Sequence, residues 1–383
     1  MRFPAILLLA WLASCDGCTE QTPNVCCTSD VECARLGLQP GSSSEYSCGP
    51  DQVCRDFYCV PKEAADASEP DAPPGDGPPP PPPSCKGLAA TCGASANGNC
   101  CEAALVPGTS AGSSFYRSYD GTGYNDMGFP ATVSSYMLDT YEVTVGRFRA
   151  FVDAGQGTQA SPPVAGAGAH PRLAGSGWNS AWNASLIADR AALMTAVKCS
   201  STYQTWTDAP GANENKPITC VSWYEAMAFC IWDGGYLPTE LEWNYAASGG
   251  TQQRAYPWSN PTTSTTIDCT YANFRIDSPA GTYCVDGTTG ALNRVGSESP
   301  QGDARWGQAD LAGNVIEWTL DLYVSPYPLP CDDCAALTGA YHVARGGSFL
   351  DDASLLRTAP RYSTGLRSYF GGFRCARTTQ SSP

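Results

Sequence analysis

Apolar side chains recur every three or four residues in only three short stretches of this chain. The first follows Tyr141-Glu-Val143, which reads as a strand end, and puts Phe148, Phe151 and Val152 on one helical face behind Thr144 as N-cap. The second opens on Ser222-Trp-Tyr-Glu225, a capping box in which Ser222 and Glu225 satisfy each other's backbone amides. It carries Trp223, Ala226, Met227 and Cys230 at helical spacing and stops at Gly234-Gly235. Thr239-Glu-Leu-Glu242 is another capping box, and Gly249-Gly250 ends the helix it starts. Long irregular runs between these pieces hold most of the tryptophans and tyrosines, with no repeat of fixed period. The pattern predicts an α+β domain of few helices, short strands and much ordered loop. Its backbone must be fixed by something other than regular ladders.

Upstream the pattern changes. Phe3–Ala13 is an apolar run behind Arg2, too short to cross a bilayer as a stable anchor, and reads as a secretory signal over residues 1–14. It ends Leu12-Ala13-Ser14-Cys15, similar to a bacterial lipobox with lipid attached to Cys15. The alternative is an ordinary signal peptide with Cys15 used in a disulfide. Residues 15–62 contain seven cysteines between Cys18 and Cys59 and almost no apolar periodicity, so covalent staples must hold that module. Residues 63–84 are rich in proline and acid, and Pro78–Pro83 favours extended polyproline II. At about 3.1 Å per residue this spacer reaches roughly 65 Å. A second small cysteine cluster at 85–105 leads into the main domain, 106–378.

Composition narrows the setting. Twenty cysteines are too many for a reducing cytosol unless they bind metal. With two histidines, and with Cys331-Asp-Asp-Cys334 as the lone CxxC beyond the Cys15-Asp-Gly-Cys18 at the end of the leader, zinc knuckles are not supported, and disulfides in an oxidising compartment are the better account. Cys199–Cys220, Cys269–Cys284 and Cys331–Cys334 are pairings suggested by sequence proximity. A formal charge of −15 argues against nucleic acid or an anionic membrane surface as the main partner. The chain is therefore read as extracytoplasmic, touching a membrane only through an N-terminal lipid anchor.

Read in order, the motifs are MLDTYEVTVGRF, PITCVSWYEAMAFCIWDGGYLPTELEW, AYPWSN, ANF, GQADLAGNVIEW, RGGSF and GFRCAR. Each is weak alone; seven in order over some 240 residues resemble the formylglycine-generating enzyme (sulfatase-modifying factor) family. The resemblance implies a variant of the C-type-lectin fold and leaves the first hundred or so residues uncovered. Trp223, Trp232, Trp243, Trp258 and Trp318 are expected as core. Arg345, Arg361 and Arg374 are expected to tie loops together through carboxylates such as Glu142 or Glu242.

Site residues follow from the same resemblance. Asp310 and Glu317, seven apart around Gly313, can wrap oxygens around a hard cation. The family's calcium position carries over to Asp310, Glu317 and the carbonyls of Gly313 and Val315. A second would fall on Asn273 and the Phe274 carbonyl, with Asp286 and Thr288 in a divergent stretch. The alternative is that Asp310 and Glu317 cap turns or pair with arginine. Cys230 and Cys375 match a structural family disulfide.

The family oxidises a substrate cysteine through two copper-binding cysteines five apart, placed after RGGS. Here Asp351 and Leu356 stand on those positions, and no cysteine lies between Cys334 and Cys375. Thiolates suit Cu(I) and carboxylates do not, so copper is not expected. The three-histidine iron site of related domains cannot be built from His170 and His342, and neither histidine lies in a recognisable hydrolase context. The expectation is a binding or scaffold module for an unknown protein, peptide or small-molecule ligand, with calcium as a structural ion. The alternative is an oxidoreductase of the formylglycine-generating class acting on a protein cysteine through a divergent site.

Overall fold

The computed structural model describes residues 52–55, 58–61, 81–276, 281–285, 287 and 290–379. It divides into two units, 1–79 and 80–383. In the first, β1 (Gln52–Arg55) and β2 (Tyr58–Pro61) form an antiparallel hairpin. Cys15 and the rest of the leader lie outside the described residues.

The second unit runs β3 (Ala103–Val106), β4 (Phe115–Tyr116), β5 (Pro130–Ala131), β6 (Tyr136–Asp139), α1 (Val145–Asp153), α2 (Arg190–Ala196), α3 (Trp223–Trp232) and α4 (Glu240–Ala247). Then come β7 (Arg275–Ile276), β8 (Thr282–Tyr283), β9 (Ile316–Leu322), β10 (His342–Arg345), β11 (Tyr362–Thr364), β12 (Gly371–Gly372) and β13 (Ala376–Thr378). Only two sheets exceed a hairpin among the described residues. One has order β11-β10-β9-β12, with β12 parallel to β9, and the other order β13-β6-β3. The α+β, loop-rich class expected from the sequence is the class observed.

Local chemistry explains the helices. Thr144 accepts the Arg147 amide, and both capping boxes close reciprocally at Ser222/Glu225 and Thr239/Glu242. The helix α2 has no counterpart in the sequence reading, because Leu193 is its one buried residue and an apolar period cannot be seen in one position. Phe148 of α1 stacks on Phe229 of α3, and Phe229 meets Phe373 edge-on, which centres the larger core cluster between helices and strands. Trp243 and Tyr245 of α4 pack with Tyr136 and Leu138 of β6 in the second cluster.

The small cysteine cluster is part of this body. Cys85–Cys101 and Cys92–Cys100 are bonded, Ser84 N donates to Asp233, and β3 pairs along its length with β6. A boundary at 105/106 therefore falls inside a strand. Four further disulfides are present among the described residues: Cys199–Cys220, Cys230–Cys375, Cys269–Cys284 and Cys331–Cys334.

Buried arginines tie the loops, though not to the carboxylates anticipated. Arg374 forks onto Glu317 through Nε at 2.8 Å and Nη2 at 2.6 Å. It also donates to the carbonyls of Asp139, Thr140 and Ala309. Arg345 and Arg361 both pair with Glu240. Glu242 is already committed to its capping box, and Glu142 takes Asn314 Nδ2 and Val315 N instead. Glu240, one residue into the helix, is left to face the arginines.

Arg374→Met leaves Glu317 buried without its cation and is expected to lower the unfolding free energy by about 3–5 kcal/mol. Urea unfolding checks this, and a loss below about 1 kcal/mol would refute the role. The double variant with Glu317→Gln should cost less than the sum of the two single changes.

A second expectation concerns His342, whose ring stacks 4.0 Å from Trp223. Burial lowers its pKa from 6.5 to about 4. The unfolded chain therefore takes up the proton first as pH falls. Stability is whole above pH 6.5 and is lost toward pH 4, on the order of 2 kcal/mol. His342→Phe keeps the stack and should retain more stability in that window; parallel pH profiles would sink the assignment.

Candidate functional site

The segment after β10 carries the positions where the resemblance places chemistry. Gly347 has φ +67°, and a Cβ there would sit 2.8 Å from the Leu356 side chain, so close approach requires glycine. Ser348 then donates through N (2.9 Å) and Oγ (2.8 Å) to Asp351 Oδ2, while Asp351 N returns to the Ser348 carbonyl. Asp351 is thus locked as a turn cap. Asp352 caps the next short helical turn, Ala353–Leu356, through the Ser354 amide and pairs with Arg275 at 3.5 Å. Leu356 is 0% exposed and packs with Tyr256, Ala272, Phe274 and Ala312. One position holds an acid engaged by Ser348, the other an alkyl group inside the core. Neither presents a ligand atom to a soft metal.

The Asp310–Glu317 segment builds a buried acidic patch. Asp310 and Asn314 adopt left-handed backbone at φ 60° and 57°. At Gly313 a Cβ would meet the Asn273 carbonyl at 2.5 Å. Asp310 Oδ2 accepts the Gly296 amide at 2.6 Å, and Asn314 bridges to Glu142 at 2.7 Å. Glu317 gives both oxygens to Arg374 and accepts Trp243 Nε1 at 2.9 Å. Burial, with Glu298 nearby, pushes the Asp310 carboxyl up to about 8. Burial, then Asp310 and Glu317, hold Glu142 well above the ordinary carboxylate range.

Three carboxylates therefore lie in the field of Arg374, which contacts Glu317 alone among them. Such hard oxygens and an excess of buried negative charge suit a cation such as calcium. Against that, Glu317 is paired with arginine, the alternative open from the sequence. No group of three or more His, Cys, Asp or Glu side chains is set to hold a metal among the described residues. Of the donors the resemblance assigns, Asp310 already accepts the Gly296 amide and Glu317 already gives both oxygens to Arg374.

The second predicted set divides. Asn273 donates to the Ala291 carbonyl (2.8 Å) and to Asn314 (3.3 Å), and the Phe274 carbonyl accepts the Cys284 amide (3.2 Å). Asp286 and Thr288 lie outside the described residues. Glu142 is the member that sequence reasoning placed elsewhere. Its signal was an acid in the otherwise apolar stretch Tyr141–Val143, which was expected as a strand end but lies in the loop between β6 and α1.

An open polar cleft of about 600 Å³ lies between Ser134, His170, Arg172, Tyr236, Asp333 and Thr378. His170 Nδ1 accepts the Arg172 amide, so Nε2 carries the proton and faces Glu242 Oε1 at 3.3 Å. Tyr236 Oη donates to that same oxygen at 2.7 Å. Every ring nitrogen and carboxylate oxygen in this group is occupied, and Ser134 Oγ donates to Asp333 rather than to the histidine. The group braces α4 and offers no activated nucleophile.

A formylglycine-generating enzyme of Thermomonospora curvata is 31% identical over 278 residues, covering 64% of this chain and 82% of that protein. One from Streptomyces coelicolor is 37% identical over 171 residues, covering 42% of this chain and 52% of that protein. The bovine (Bos taurus) "Inactive C-alpha-formylglycine-generating enzyme 2" is 34% identical over 160 residues, covering 42% and 50%. The chain thus spans about half the length of the last two. The family model described as "Sulfatase-modifying factor enzyme 1-like domain" matches residues 104–379. With its arginine forks, capping boxes and Cys230–Cys375 bond all inside that range, the chain belongs to the sulfatase-modifying factor, or formylglycine-generating enzyme, family.

Proposed function

We propose that the domain is a binding or scaffold module that does not carry out its family's cysteine oxidation, on a chain held outside the cytoplasm by lipid at Cys15. The observation that carries this is Leu356. Its side chain completes an apolar cluster with Tyr256 and Phe274 at a position where the oxidase needs a thiolate. Asp351, at the other, is occupied by Ser348. Similarity to proteins named as active and as inactive formylglycine-generating enzymes is compatible with a retained frame and altered chemistry. The apolar run Phe3–Ala13 ahead of Cys15 and the proline-rich spacer support display away from a membrane.

Protein with its disulfides intact is expected to bind no Cu(I) through thiolates in a titration. A peptide carrying a sulfatase-type cysteine should keep its mass when incubated with the protein and copper, iron or calcium. Mass loss to the aldehyde would overturn the reading and favour an oxidoreductase with a divergent site.

We further propose calcium as a structural ion at Asp310 and the carbonyls of Gly313 and Val315, with Glu317 shared between the ion and Arg374. A cation there would offset the negative charge that Glu142 and Asp310 add to the patch. Calcium at 100 times its dissociation constant should stabilise the fold by about 2.7 kcal/mol, read as a rise in melting temperature that chelator reverses. Asp310→Ala should abolish that rise, and equal melting temperatures with and without calcium would remove the ion from the account.

A further inference from the structure

Cys331 and Cys334 are used by nothing described so far. Their bond spans a sequence separation of three, while the other five among the described residues span 8 to 145. A cross-link constrains the unfolded chain less as its loop shortens, so this bond contributes least to stability. Nor does the loop need it to hold shape. Thr132 N donates to the Cys331 carbonyl at 3.1 Å, and Asp333 N to the Thr132 carbonyl at 3.0 Å. Ser134 N and Oγ both reach Asp333 at 2.6 Å.

Against the Cys334 sulfur lies Arg117, with Nη1 at 3.4 Å. Arg117 is 4% exposed and forms no ion pair among the described residues. Nη2 donates to the Pro328 carbonyl at 2.7 Å, the guanidinium lies 4.5 Å from the Tyr327 ring centroid, and Nε has no partner. Burying a guanidinium without an anion is costly.

The surrounding charges are all assigned elsewhere. Asp333 faces Arg172 and Ser134, and Asp332 accepts the Thr132 hydroxyl. Glu240 pairs with Arg345 and Arg361, and Asp321 accepts the Glu240 and Ala336 amides. The atom in contact with Arg117 that can become an anion is the Cys334 sulfur, which does so when the disulfide is reduced.

We propose that Cys331–Cys334 is a redox-active disulfide that exchanges with a dithiol, and that Arg117 holds Cys334 as the thiolate in the reduced form. A thiolate of the dithiol adds to one sulfur and breaks the Cys331–Cys334 bond, giving a mixed disulfide. The second thiol of the dithiol gives up its proton and displaces the protein sulfur. The dithiol loses two electrons and leaves as a disulfide. Cys331 carries the released proton as a thiol, and Cys334 remains a thiolate on Arg117. This site is independent of Asp351 and Leu356 and stands whichever way the oxidase test falls.

The test uses the full chain in dithiothreitol buffers of stepped potential, with alkylation and peptide mass mapping. Cys331–Cys334 should open before Cys230–Cys375 and Cys199–Cys220. The alkylation rate of Cys334 should then titrate below about 7.5, against about 8.5 for an ordinary thiol. Arg117→Gln should move that midpoint up by about one unit, and Arg117→Lys should leave it low. A Cys334 midpoint near 8.5 in the unaltered protein overturns the proposal. So does an unchanged midpoint in a folded Arg117→Gln protein, or a Cys331–Cys334 pair that opens last. Should Arg117→Gln fail to fold, the unaltered protein and Arg117→Lys decide.

Discussion

Arg374 is buried with all five guanidinium protons used, two on Glu317 and three on the carbonyls of Asp139, Thr140 and Ala309. Those acceptors come from the turn after β6, the loop before Asp310 and strand β9. Arg374 therefore fixes the meeting of three segments that share no ladder there. Its neighbours extend the same junction, with Phe373 in the aromatic core and Cys375 bonded to α3. Burial alone would weaken the charge on Arg374, and Glu317, with Glu142 and Asp310 behind it, more than offsets that. Arg345 repeats the device, joining Glu240 to the carbonyls of Thr358, Ala359 and Pro360. In a fold with so few regular hydrogen-bond rows, these forks choose which loop conformation is native, even where their net contribution to stability is modest.

Frame and chemistry are separable in this molecule because they use different atoms. None of the hydrogen bonds of Arg374 reaches Asp351 or Leu356. The residues at the two positions where the resemblance places thiols belong to the frame, Asp351 by closing a turn on Ser348 and Leu356 by filling a core cluster. The acidic patch around Asp310 is the opposite case. Its carboxylates outnumber the cation beside them, and burial makes each additional negative charge harder to hold.

What the sequence disclosed follows from the range of the interaction. Capping boxes at Ser222 and Thr239 are contained within four residues and were legible in full. The strands were not, since runs such as Gly371–Gly372 or Tyr362–Thr364 are too short to show a period of two. That arginines would tie loops was legible from their number and setting. Which carboxylate each would choose was not, because the capping box commits Glu242 but the pairing of Glu240 with Arg345 and Arg361 joins residues 105 and 121 positions apart. The acid and leucine at 351 and 356 are plain in the sequence, and the Ser348–Asp351 turn is local, but the burial of Leu356 depends on Tyr256, Phe274 and Ala312, tens of residues away. Arg117 gave no local signal at all, since its partner sulfur is 217 positions on.

Leu356 also bears on what it would take to place a thiol at this position. Because its branched chain is a wall of the cluster around Tyr256 and Phe274, exchange for the smaller cysteine would open a void before any metal could fill it. Shortening a buried leucine of this kind costs on the order of 2–3 kcal/mol. Asp351 would likewise have to release the amide and hydroxyl of Ser348 before its place could hold a thiol. The packing at 356 and the turn at 351 are thus two separate obstacles, one costing core contacts and the other a turn cap.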